Sequence, residues 1–197
     1  MHLYLSHQEP WNATYTTAEG QVIYKVKTPL RLGTWTATIQ RVIPNTELLD
    51  SPVGTPSAVE PNFQDRFGQL GQIEFHNIQS SRIRYQGQDV EASVFFRKSG
   101  FGWYGRHRIF TAPDGKEYKW KLGMKAPELV MNDGSKTPIA RCHRKKFGIL
   151  SKAACPASLE IFPAGKHIAD VIVVTFVYIE KLRKDREQAS VVASSGA

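Results

Sequence analysis

HIADVIVVTFVYIEKLRKDREQ, residues 167 to 188, is apolar on nearly every side in its first half and densely charged in its second. Ile168, Val171, Ile172, Val173, Val174, Phe176, Val177, Tyr178 and Ile179 are interrupted only by Ala169, Asp170 and Thr175. A segment without a polar face has to be covered all round, so the rest of the chain must wrap it. The apolar part is about a dozen residues against the roughly 20 of a spanning helix, and it contains Asp170, so it reads as buried rather than membrane-crossing. Its β-branched residues lean towards a strand on propensity. Length, and the unbroken passage into Glu180, Lys181, Leu182, Arg183 and Lys184, decide for one helix over about 167–187.

Upstream, apolar residues recur at every second position, the signature of strands with one buried face. Val22, Tyr24 and Val26 share a face, as do Trp35, Ala37 and Ile39, then Ile73 and Phe75, and Ile83 and Tyr85. Val90, Ala92, Val94 and Phe96 predict a further strand running to Arg97. Tyr118, Trp120 and Leu122 oppose Lys119 and Lys121 in a hairpin with 106–111 around Pro113-Asp114-Gly115. Short runs at 128–131, 137–143, 146–150 and 158–162 follow, while proline-punctuated 44–68 reads as a long surface loop. About ten to twelve strands and one apolar helix fit a mainly β fold. The expectation is a closed antiparallel barrel of about twelve strands around a central C-terminal helix, since closure removes exposed edges and the helix fills the interior. Residues 1–188 make one domain, with a flexible polar tail over 189–197.

Trp11 and Tyr15, the run Glu19-Gly20-Gln21-Val22-Ile23-Tyr24-Lys25-Val26, Tyr118-Lys119-Trp120 and Ala169-Asp170-Val171-Ile172-Val173-Val174-Thr175-Phe176 resemble an uncharacterised family abundant in mushroom-forming fungi. That family in turn is similar to the Tubby C-terminal superfamily, which includes phospholipid scramblases and LURP-one-related proteins. The likeness covers roughly residues 1 to 187. It implies a twelve-stranded barrel threaded by a helix, and it imports no activity. Tubby is a phosphoinositide binder, but its binding residues do not match this chain position by position, so none are transferred.

The chain has 197 residues, 41% hydrophobic and 22% charged, which excludes wholesale disorder. A net charge of +8 and a pI near 9.5 suit a polyanionic partner, nucleic acid or an acidic lipid surface, or simply a soluble basic protein. The opening MHLYLSHQEPWN has no signal-peptide pattern, so the expected location is cytoplasmic, with at most peripheral membrane contact. Cys142 and Cys155 then read as reduced thiols.

Two clusters combine features that recognise anions. Arg97 and Lys98 precede Phe101, Trp103 and Tyr104, and Arg106, His107 and Arg108 follow, a mixture suited to a lipid interface or to stacking bases, or to capping one end of a barrel. Arg141, His143, Arg144, Lys145 and Lys146 crowd a short run that can hold phosphates or serve as a solvated edge. Gly100 to Gly105 formally matches GxGxxG, but a strand rather than a helix follows, so a glycine-rich hairpin turn is the reading. The cysteines and histidines lack metal-ligand spacing, and no nucleophile elbow or HExxH occurs, so no catalytic residue, metal or cofactor is assigned. The leading functional expectation is a non-catalytic domain binding anionic phospholipid or phosphoinositide headgroups. Its rivals are a protein-interaction module, an enzyme or small-ligand binder at the barrel mouth, and a nucleic-acid binder.

Overall fold

The computed structural model describes residues 1–29, 35–43, 66–76, 79–145 and 156–195. Among the described residues thirteen strands form one antiparallel sheet. They are β1 (His2–Leu5), β2 (Thr14–Thr16), β3 (Val22–Lys27), β4 (Trp35–Ile43), β5 (Arg66–Phe75), β6 (Arg82–Tyr85), β7 (Gln88–Glu91), β8 (Arg97–Gly102), β9 (Gly105–Thr111), β10 (Glu117–Leu122), β11 (Pro127–Met131), β12 (Pro138–His143) and β13 (Ser158–Ile161). The order across the sheet is β7-β6-β5-β4-β3-β2-β1-β13-β12-β11-β10-β9-β8. Two meanders therefore diverge from the pairing of the first strand with the last. Leu3 lies opposite Leu159 there, and the Met1 amine donates to the Ile161 carbonyl at 2.7 Å.

The alternation expected from sequence is realised where one face of each strand meets the core. Ala37, Ile39, Ile73, Ile83, Tyr118, Trp120 and Leu122 are all completely buried in one cluster. β1 was not among the expected strands, although Leu3 and Leu5 point inward by the same rule.

The hydrogen-bonded ladder does not close. β7 and β8 stand at the two ends of the order and share no pairing among the described residues. The expected closed barrel is corrected here, and so is the continuous strand from Val90 to Arg97. A single helical turn, α1 (Ala92–Phe95), interrupts that run. The Ala92 amide donates to the Ser81 carbonyl at 2.7 Å, one rung beyond the last β6–β7 pair, and the chain then leaves the ladder. The turn leaves Val94 in solvent and delivers Phe96 to the core, where its ring stacks on Tyr178 with centroids 5.1 Å apart.

The C-terminal helix α2 (Ala169–Ser195) is covered all round through its apolar half: Val171 to Val174, Phe176, Val177 and Ile179 are all buried. Consecutive positions on a helix point in every direction, so burial of all of them requires the sheet to wrap it. Asp170 sits in the first turn, where a negative charge suits the helix dipole. It also accepts from the Tyr24 hydroxyl at 2.7 Å and from Arg41 at 2.6 Å, fastening α2 to β3 and β4. The helix runs past its expected end at 187, so the expected flexible tail is helical as far as Ser195. Among the described residues no helix is long and apolar enough to cross a membrane. Of the expected loop, 44–65 lies outside the described residues, as do the strand expected at 146–150 and Cys155; residues 66 to 68 belong to β5.

Candidate functional site

The formal GxGxxG is the hairpin joining β8 to β9, with Gly102 paired to Gly105. Gly105 has φ of +101°, and a Cβ there would stand 1.6 Å from a guanidinium nitrogen of Arg186, so both backbone and space demand glycine. Arg186 fills that space and donates to the Tyr104 carbonyl at 2.7 Å. Arg183 lies 5.6 Å from the centre of the Tyr104 ring. α2 thus clamps the base of the hairpin while its tip projects: Phe101 is 84% exposed and Trp103 69%. Gly102 packs against the Leu122 carbonyl, which sets the turn after β10 beside the tip. Met124 in that turn is also exposed. Exposure of three large apolar side chains on adjoining turns is uncommon for a surface with no partner.

The cations of the first cluster divide three ways. Arg97 is bound to Glu117 at 2.8 Å on the outer face. Lys98 and Arg106 are exposed, and Arg106 donates weakly to the Lys98 carbonyl at 3.4 Å. Arg108, expected at the surface, is only 4% exposed, which corrects its assignment to a headgroup-binding surface. It alternates with His107 and therefore faces inward with Phe110. Burial pulls its affinity for a proton below that of an ordinary guanidinium, while the nearby Tyr178 works the other way.

The second cluster is largely neutralised by partners that sequence spacing does not reveal. Arg141 pairs with Glu128 across the β11–β12 ladder at 3.0 Å. His143 bonds Glu160 at 2.8 Å, and Arg144 forks onto Glu187 at 3.1 and 3.2 Å. Lys145 is exposed at the end of this run, and Lys146 lies outside the described residues.

α2 brings the two clusters together. Glu187 receives Arg144 from one side and Arg183 from the other. Burial opposes ionisation of Glu187, but the hydrogen bond from Arg144 and the charge of Arg183 outweigh it and hold the carboxyl below its usual range. Arg183 is completely buried and bonds both oxygens of Glu180 at 2.7 Å. The same guanidinium lies by the Tyr104 ring, so the chain Arg144, Glu187, Arg183, Tyr104 joins β12 to the β8–β9 hairpin. The contacts of Arg183 and Arg186 with Tyr104 depend on the sheet around the helix and have no signal in the sequence. Met124 carried no signal beyond its neighbouring Gly123. Among the described residues no group of His, Cys, Asp and Glu could hold a metal ion.

A profile described as a family of unknown function (DUF6593) matches residues 8–185. No curated protein and no solved structure matches the chain.

Proposed function

The chain belongs to the DUF6593 family, whose function is unknown, and we propose that it is a non-catalytic domain that docks reversibly on anionic phospholipid surfaces through the β8–β9 hairpin. The observation that carries this reading is the exposure of Phe101 and Trp103 at a tip flanked by Lys98 and Arg106. Trp is at home at the headgroup level, and full burial of each aromatic is worth about 1.5–3 kcal/mol. A cation near an anionic leaflet adds about 1 kcal/mol. Those magnitudes give weak, salt-sensitive binding, comparable to one lipid anchor rather than to a spanning helix. Within the same proposal the protein is a cytoplasmic relative of the Tubby-like domains. The support is an antiparallel sheet about one apolar helix, with α1 following β7 in the chain where the ladder stops.

Flotation with phosphatidylserine or phosphoinositide vesicles at low salt tests the reading, with phosphatidylcholine vesicles as the reference. Anionic vesicles should carry the protein up the gradient and release it as salt rises. Equal recovery with neutral vesicles sinks the proposal. A second reading, docking of the same tip on another protein, is favoured by the commitment of Arg97, Arg141 and Arg144 to carboxylates of this chain. It predicts a saturable protein partner and no lipid dependence.

A further inference from the structure

Where the ladder opens between β7 and β8, a cavity of about 290 Å³ reaches down to α2. That is the small end of the range for ligand pockets. Its wall carries three cations, Lys98, Arg108 and Lys181, and one carboxylate, Asp185. Asp185 is already taken by the Lys181 ammonium, 2.5 Å away. Lys98 and Arg108 are register partners on β8 and β9. Like charges placed directly opposite on an antiparallel pair repel, so this juxtaposition costs the fold stability. No carboxylate relieves it among the described residues: Arg108 donates to the carbonyls of Arg106 and His107 and lies beside the Tyr178 hydroxyl. A buried guanidinium normally has an anionic partner, because desolvation without one is expensive. Four residues of the wall carry hydroxyls, Ser80, Ser81, Ser93 and Tyr178; Ser93 donates to Glu91 at 2.9 Å and Ser80 to the Ser81 carbonyl at 3.5 Å. Ser81 accepts from the His76 amide at 3.3 Å, which leaves its own proton to donate.

We propose that this cavity binds a small soluble oxyanion, a phosphate or carboxylate group on a molecule of metabolite size, with Arg108 and Lys98 as its charge partners. The site shares Lys98 with the flank of the hairpin tip, but Phe101 and Trp103 do not line it, and it stands whether or not the protein docks on membranes. The anion supplies the negative charge missing between the two register partners, and the hydroxyls of Tyr178 and Ser81 orient it.

The test uses the full chain with inorganic phosphate and malonate as probes, ionic strength being held constant with sodium chloride. Calorimetry should give saturable binding with Kd below about 1 mM, and thermal unfolding should shift upward with the same concentration dependence. Lys98→Gln, at an exposed position, should weaken binding about ten-fold or more while the unliganded protein stays folded, through loss of a charge-assisted contact. Arg108→Lys should weaken it as well, because an ammonium lacks the forked geometry. Phe101→Ala with Trp103→Ala should leave probe affinity unchanged, so failure of membrane docking and failure of this site read out separately. Absence of a saturable heat with either probe overturns the proposal, as does full affinity in Lys98→Gln. Binding confined to phosphatidic acid vesicles, with none to the soluble probes, also overturns it and assigns the anion to a lipid headgroup.

Discussion

The indole nitrogen of Trp120 donates to the hydroxyl of Thr175 at 3.0 Å, a polar link between β10 and α2 with no exposed surface on either residue. Thr175 donates in turn to the Val171 carbonyl at 2.7 Å, so its hydroxyl is satisfied in both directions. This bond sets the rotation of the helix within an otherwise apolar wrapper. Trp120→Phe leaves the Thr175 oxygen short of a donor and a small void beside Phe176. The expected loss is about 2–3 kcal/mol, the sum of one buried hydrogen bond and a modest cavity. For a chain of this size that is a fall of roughly 5–10 °C in Tm, read by thermal unfolding. Thr175→Val should cost a similar amount by orphaning the indole donor, and the double variant less than the two singles together.

Burial of α2 on all sides predicts that a charge on any face of its apolar half is not tolerated. Val173 and Phe176 have no exposed surface. Val173→Asp and Phe176→Asp should each abolish soluble folding, since an unpaired buried carboxylate costs more than the stability of an ordinary domain can absorb. Gel filtration and near-ultraviolet circular dichroism are the measurements. A monomeric, cooperatively unfolding Val173→Asp protein would show that the helix has a free face.

What could be read in the sequence was what a single element states about itself. Tyr118, Trp120 and Leu122 announce an inward face because Lys119 and Lys121 occupy the other. The helix announces its burial by having no polar face. The α1 turn was illegible because Ala92, Val94 and Phe96 alternate as a strand would, and only the docking of Phe96 on Tyr178 breaks the pattern. The same alternation should have placed Arg108 inward with Phe110; the charges around it concealed this. Neutralisation of Arg141 by Glu128 and of Arg144 by Glu187 depends on strand register and on where α2 emerges, neither of which spacing encodes.

Acid should destabilise the protein in two stages. Burial lowers the pKa of His2, with His143 adding to it, and burial likewise lowers that of His107. Below the usual histidine value of about 6.5 the unfolded chain takes up protons that the folded state refuses, so stability starts to decline there. Asp114 and Glu187 behave in the opposite sense. Burial opposes their charge, but hydrogen bonds from Tyr118 and His167 to Asp114, and from Arg144 to Glu187, hold both carboxyls below their usual range. Their contribution is complete above the ordinary carboxylate pKa of about 4 and is lost as pH falls through the depressed folded values. Denaturant melts from pH 8 to 3 should show both declines, and Glu187→Gln should flatten the lower one.

Cys142 is buried on the inner face of β12, and burial, with the Glu180 carboxylate adding to it, pushes its thiol up to about 12. The thiolate is the reactive species, so at neutral pH this side chain should be inert. Alkylation with iodoacetamide at pH 8, followed by peptide mass analysis, should leave Cys142 unmodified in the folded protein and modify it fully in denaturant. Labelling in the folded state at the rate of a free thiol would mean that β12 opens readily.

The two basic clusters make different predictions for vesicle binding, and their partners decide which. At the hairpin tip Phe101 and Trp103 have no packing to lose, so Phe101→Ser with Trp103→Ser should leave Tm within a few degrees and remove most of the affinity for anionic vesicles. Arg144 already serves Glu187, so Arg144→Glu sets two carboxylates against each other beside Arg183 and should lower Tm before it says anything about lipid. Lys145→Glu tests the second cluster with less disturbance of the Glu187 pair. If the tip is the docking element, Lys145→Glu should change vesicle recovery only slightly and in a salt-dependent way, while the double tip variant fails at every salt concentration. Retention of binding by the tip variant together with its loss in Lys145→Glu would move the docking surface to the end of β12.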